Sequence, residues 1–164
     1  MRIIERLIPE NIRNTFYLRY FGLTKIPLLF YVRPSVVEKS GERVVIKIPL
    51  NRKSKNHQGS MYFAALTMGA DCATVLLAVE HYNRQMQNIS FLFKEFNAEF
   101  YRRSTADVFF SCDKGNEIAE LVKKATLSTQ RVEMPLNAIA TVPAESDEPV
   151  ARFRLILSLK RSDA

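Results

Sequence analysis

Glycine is scarce in this chain, with 5 residues in 164, and proline is limited to 7. That composition argues against disorder and against a scaffold built from loops. Histidine and cysteine number only 2 each. Cys72 and Cys112 have no C-x-x-C partner, and His57 and His81 are too few to complete a zinc set, so no metal site is expected. Both cysteines lie in apolar stretches and read as reduced structural thiols of a cytoplasmic protein. There is no Ser/His/Asp triad, no Gly-rich phosphate loop and no internal repeat. The N-terminal stretch lacks the unbroken apolar core of a signal sequence, and Pro9 interrupts it. The net charge of +7 is dispersed, with no long basic run or basic helical stripe. A nucleic-acid partner is therefore not expected, whereas a polyanionic small ligand suits scattered positive charge.

What is present is a hydrophobic fraction of 47%, ample for one core at this length. Its centre is Met61–Val79, apolar apart from Thr67, Gly69, Asp71 and Thr74. A segment apolar on every side is a helix buried all round or one that spans a membrane. The central Asp71, the small residues and the strand-rich flanks favour burial, so no transmembrane segment is expected.

Residues 2–8 and 10–21 read as short amphipathic helices, with Ile12, Phe16 and Tyr20 on one face and Gly22 as the stop. This predicts an N-terminal helical arm over 1–26, a lid or packing element, ahead of one domain over 27–164. An interfacial anchor with Arg13 and Arg19 outward is the other reading of the arm. Residues 27–38 read as a β-rich run broken by Pro34, turning at Ser40-Gly41 into a strand over 43–50 whose Val44, Ile46 and Ile48 share a buried face. Beyond the long helix, Ile89–Arg103 is a strand with a fault. Phe91 and Phe93 keep one phase, and Phe96, Ala98 and Phe100 the other, so a bulge is expected near Lys94. Strands at 106–112, about 126–142 and 150–160 follow, with a short helix at 116–125 carrying a possible Glu120–Lys124 pair. An antiparallel sheet curled around the long helix is the architecture these elements imply.

Thr67, Asp71 and Thr74 lie at i, i+4 and i+7, one stripe of the helix. Gly59-Ser60 reads as its break and N-cap. A helix N-terminus offers unpaired N–H groups and positive potential, the arrangement that stabilises a developing oxyanion. A carboxylate two turns further in could activate water or attack directly. The plainer reading is that Asp71 only hydrogen-bonds Thr67, Thr74 or nearby backbone.

The run Asn56-His57-Gln58-Gly59-Ser60-Met61-Tyr62-Phe63-Ala64 through Asp71 resembles the central-helix signature of hot-dog-fold acyl-CoA thioesterases of the phenylacetyl-CoA thioesterase type. In that family an Asn, a Gly, an H-G-G triplet and a catalytic Asp or Glu follow at fixed spacing. Asn56, Gly59 and Asp71 match, and Tyr62-Phe63-Ala64 stands where the family has H-G-G. The element order also matches, and the likeness spans roughly 27–160. It is closest to an uncharacterised branch with a helical N-terminal arm and no H-G-G.

The resemblance implies an α+β hot-dog fold of about six strands, working as a homodimer or tetramer with sites between subunits. It implies Asp71 as general base or nucleophile and Asn56 as the group positioning water or thioester. The backbone N–H of Phe63 or Ala64 would polarise the carbonyl, and Tyr62 could stand in for the missing histidine. Substrate contacts would then fall to Tyr62, Thr67, Thr74 and Lys94, with Arg102-Arg103 as further candidates for CoA phosphate. No cofactor is implied beyond the CoA moiety of the substrate. The function so implied is acyl-CoA thioester hydrolysis; the alternatives are a non-catalytic acyl- or CoA-binding homo-oligomer and a purely structural one with Asp71 sealed.

Overall fold

The computed structural model describes residues 8–85 and 89–161, with the side chains of 82–85 left aside. The helix expected at 2–8 therefore falls almost wholly outside the described residues. Chain order is α1 (Glu10–Lys25), α2 (Pro27–Val32), β1 (Ser35–Lys39), β2 (Val44–Ile48), α3 (Phe63–Gln85), β3 (Ile89–Phe100), β4 (Val108–Cys112), α4 (Gly115–Leu127), β5 (Val132–Val142) and β6 (Ser146–Arg161). The strands make one six-stranded sheet in the order β1-β2-β4-β5-β6-β3. Every neighbouring pair is antiparallel.

The inner face of this sheet packs against α3, through β2, β4 and β5, with α4 alongside. Ile46, Ile48, Leu77, Phe110, Phe153, Leu155 and Leu157 are all but inaccessible there, and each strand contributes alternate residues as a half-buried strand must. α3 comes unusually close to β4 at Gly69. A Cβ at that position would lie 2.2 Å from the Phe110 ring. α3 is a described helix long and apolar enough to cross a membrane, from Phe63 to His81, yet half of that window is buried inside the fold.

The fault in β3 is real. Its register with β6 shifts between Phe93 and Glu95, which places Lys94 in the bulge. The bulge lets both phases serve one face. Phe91 joins α3 residues in an apolar cleft, and Phe96 and Phe100 meet the inner-face ring of Phe153 at 5.9 and 5.8 Å.

Three details differ from expectation. Residues 27–32 are helical rather than extended: Pro27 takes the first helical position, where its missing N–H costs nothing, and Arg33 ends the turn in the left-handed region at φ 55°. α1 runs through Gly22 to Lys25, because Pro27, not Gly22, is the stop. On α4, Glu120 pairs with Lys123 at 2.5 Å rather than with Lys124.

The two sheet edges are treated differently. At β1, the Val36 N–H donates to Thr15 Oγ1 at 2.9 Å, and Arg19 donates to the Pro34 carbonyl at 2.9 Å and to Ser35 Oγ at 2.8 Å. α1 thus covers that edge. β3, twelve residues long, is the other edge, with no strand beyond it among the described residues.

Candidate functional site

The loop from Asn51 to Tyr62 delivers the chain to α3, and it is fixed by hydrogen bonds and by Met61, which is buried in the core. Ser54 Oγ donates to the Pro49 carbonyl at 2.6 Å and accepts the Asn51 N–H at 3.0 Å. The Tyr62 N–H donates to the Ser54 carbonyl at 2.8 Å, and the Met61 N–H to the Ser104 carbonyl at 2.9 Å. Gly59 sits at φ 82°, a conformation that L side chains rarely adopt.

Asn56 is the brace of this loop. Its Oδ1 accepts the Gln58 N–H at 2.9 Å, its Nδ2 donates to Ser60 Oγ at 3.1 Å, and its own N–H meets the Ser60 carbonyl at 2.8 Å. Ser60 accordingly serves Asn56 and does not cap the helix. The first backbone bonds of α3 run from the Ala65 and Leu66 N–H groups to the Tyr62 carbonyl. That makes Tyr62 the residue before the helix and leaves Phe63 and Ala64 as the amides of its open first turn. Neither amide has a partner among the described residues. The rings of Tyr62 and Phe63 meet edge-on at 4.8 Å and are both about half exposed.

An open cavity of about 400 Å³ lies at this end of the helix, bounded by Asn56, Ser60, Tyr62, Phe63, Phe100 and Arg103 among others. Arg102 also borders it but donates to the Glu148 carbonyl at 2.6 Å, so Arg103 is the freer cation of the pair.

Asp71 stands elsewhere on the helix. At 1.5 Å per residue, the eight residues from Phe63 to Asp71 separate them by about 12 Å along the axis. The residue is exposed on the subunit surface, and its carboxylate has no hydrogen-bond or ion-pair partner among the described residues. Protein crowding around the carboxyl nevertheless removes enough water to raise its pKa above the ordinary aspartate value. The plainer reading, an aspartate satisfied by Thr67 and Thr74, does not describe it.

The expected stripe divides here. Thr67 donates to the Phe63 carbonyl at 3.0 Å and remains near the surface. Thr74 is fully buried and donates to the Ala70 and Asp71 carbonyls, both at 3.0 Å, so it does not share the open face with Asp71. The open face consists instead of Ala64, Thr67, Met68, Asp71 and Val75. Sequence spacing could have shown Met68 and Val75, since both lie within four residues of Asp71.

Lys94 also leaves the set. Its Nζ meets Glu133 Oε2 at 3.1 Å, and Glu133 Oε1 accepts from Ser158 Oγ at 3.2 Å. Ser158 alternates with the inward Leu157 and Leu159, which places this group on the outer face of the sheet, away from α3.

No family model and no curated protein sequence matches the chain. Solved structures do. One is a Pseudomonas aeruginosa protein of unknown function described as a probable thioesterase, at TM-score 0.76 and 21% identity, over 90% of this chain and 95% of that one. Another is a Haemophilus influenzae thioesterase, at TM-score 0.63 and 9% identity, over 87% and 88%. A third is a glutamine-to-alanine mutant of a Pseudomonas aeruginosa thioesterase, at TM-score 0.65 and 13% identity, over 93% and 95%. The fold is the hot-dog fold. At such identities the likeness carries the wrapped helix and the sheet order, and leaves the chemistry to the residues of this chain.

Proposed function

We propose that this hot-dog protein is a thioester hydrolase acting on acyl-CoA-like substrates as a homodimer, with Asp71 as general base or nucleophile. The observation that carries the proposal is the state of Asp71: without a partner among the described residues, on the open face of the core helix, with its pKa raised. A base that attacks or activates water needs a free carboxylate, and a raised pKa makes it more basic.

The 12 Å between Asp71 and the helix start bears on how a site could form. Oxyanion donors must lie about 3 Å from the carbonyl oxygen, and the base must reach the carbonyl carbon or its attacking water. One helix cannot do both. Two helices running antiparallel can, with Asp71 of one subunit facing the open amides of Phe63 and Ala64 of the other. The uncovered edge of β3 supports such a pairing. It carries exposed Phe96 and Phe100 on the inner face, next to the open side of α3, and an exposed apolar strand edge is a site for a second chain. Asn56 then acts through the loop it braces, as a positioning residue. Arg103 at the cavity rim suits a CoA phosphate. Cys72 and Cys112 are both free and buried, in keeping with a cytoplasmic setting.

The test is hydrolysis of an acyl-CoA panel by wild type and Asp71→Asn. Turnover of at least one thioester, lost in the variant with its circular dichroism unchanged, is expected. Equal inertness of both proteins across the panel sinks the enzyme reading. A second reading, binding without turnover, is favoured by the Tyr62 and Phe63 rings standing at the helix start; thermal stabilisation of wild type by CoA esters that it leaves intact would establish it.

A further inference from the structure

α1 is inside out. Toward the protein it turns Thr15, Leu18, Arg19 and Gly22, and the Thr15 and Arg19 side chains are tied to β1 by hydrogen bonds. Toward solvent it turns Ile12, Phe16, Tyr17, Tyr20 and Leu23, each about half exposed or more. α2 continues the surface with Leu28 at 61% and Tyr31 at 50% exposure. Of the 21 exposed large apolar side chains among the described residues, 11 fall between Ile8 and Tyr31. A surface helix ordinarily does the reverse, and a contiguous apolar patch of this kind marks a binding surface.

The charge around the patch says what it binds. From Ile8 to Arg33 there are four basic residues and one acidic, Glu10. Arg19 is tied inward to Pro34 and Ser35, and Arg13 pairs with Glu10 at 3.9 Å, which leaves Lys25 and Arg33 as the cations beside the patch. Lys53 adds a further cation, its Nζ 4.8 Å from the centre of the Tyr31 ring. Tyrosine and phenylalanine flanked by lysine and arginine are the composition of a segment lying in a membrane interface, rings at headgroup level and cations toward anionic phosphates. A second copy of the chain fits poorly. A two-fold contact would bring together two patches of the same positive sign, and the proposed homodimer already uses the β3 edge.

We propose that the outward face of α1 and α2 is a peripheral membrane-docking surface for an anionic lipid bilayer. The inward hydrogen bonds hold the arm in place, so docking requires little ordering of the chain. Because the Lys53 loop runs on into the Asn56–Tyr62 segment, the docked surface would lie beside the loop that leads to the cavity. The proposal does not depend on hydrolysis and is read without substrate.

The experiment is co-sedimentation of the full chain with vesicles of phosphatidylcholine alone and of phosphatidylcholine mixed with phosphatidylglycerol. Binding to the mixed vesicles, weakened by added salt and much lower on phosphatidylcholine alone, is expected. Lys25→Glu with Lys53→Glu should lower partitioning by roughly tenfold or more. Phe16→Ser with Leu28→Ser, both outward and free of the core, should do the same while leaving circular dichroism and melting unchanged. No binding by wild type overturns the proposal, as does binding that neither pair of substitutions affects. If wild type ignores vesicles and forms an assembly that Phe16→Ser with Leu28→Ser dissociates, the occupant is a second copy and the lipid proposal is wrong.

Discussion

The Thr74 hydroxyl donates to the backbone carbonyl of Asp71 at 3.0 Å, while the Asp71 carboxylate points the other way and meets no partner among the described residues. Two polar residues three apart on one helix therefore have separate duties. Thr74→Val should cost about 1 kcal/mol of stability or less, since the two carbonyls keep their helical N–H partners. It should leave kcat and KM for any thioester unchanged. Denaturant melts and steady-state kinetics check both statements.

The raised pKa of Asp71 sets a pH dependence in stability. The folded protein holds this proton more tightly than the unfolded chain does, so stability from this group is greatest below the unfolded value of 3.8 and falls as pH rises through the folded pKa. At neutral pH the desolvated carboxylate is a liability. Asp71→Asn should raise Tm at pH 7, and the gain should vanish at pH near 3. Melts of both proteins across that range decide it, and a lower Tm for the variant at pH 7 would contradict the assignment.

Gly69 is the point where α3 touches the Phe110 ring, which is fully buried and has nowhere to go. Gly69→Ala should destabilise the fold by about 1–3 kcal/mol through overpacking, outweighing the helix propensity gained. Gly69→Ala with Phe110→Leu should recover part of the loss. Equilibrium unfolding of the two variants is the measurement.

The β3 edge predicts an oligomer that one surface charge can weaken. Phe100, 46% exposed on the subunit, should be covered in the proposed homodimer. Phe100→Asp should weaken dimerisation by tenfold or more while the monomer keeps its circular dichroism, because an uncompensated carboxylate would enter the contact. Sedimentation equilibrium of wild type and variant reads this directly.

Cys72 and Cys112 should be inert in the folded state. Burial pushes the Cys112 thiol up to about 11 and the Cys72 thiol higher still, so almost no thiolate exists at pH 8. A thiol reagent should label neither until denaturant is added.

Much of this was legible in the chain. The run from Met61 to Val79 announces the wrapped helix, and the phase change between Phe93 and Phe96 announces the bulge, because burial imposes its period on the sequence. α2 was not legible. PLLFYV is short and apolar throughout, and periodicity cannot separate helix from strand in such a run. The i, i+4, i+7 spacing does not place Thr74, because three residues turn a helix about 60° short of a full circle, enough to carry a side chain from an open face into a core. The phase change puts Lys94 at the bulge, but the acid it pairs with lies on β5, 39 residues away. The pattern of α1 did show Ile12, Phe16 and Tyr20 on one face; only the fold shows that this face looks outward.

The central claim is that one subunit supplies Asp71 and the other supplies the amides of Phe63 and Ala64. Its most direct test mixes two homodimers, Asp71→Asn and Ala64→Pro, the latter removing an amide in the first helical turn where proline is tolerated. Each alone should be inactive toward a thioester that wild type hydrolyses. After subunit exchange, the hybrid dimer regains one site with both parts intact, so activity should return in proportion to hybrid formed. Hybrids that form and stay inactive, or activity retained by Asp71→Asn alone, would contradict the account.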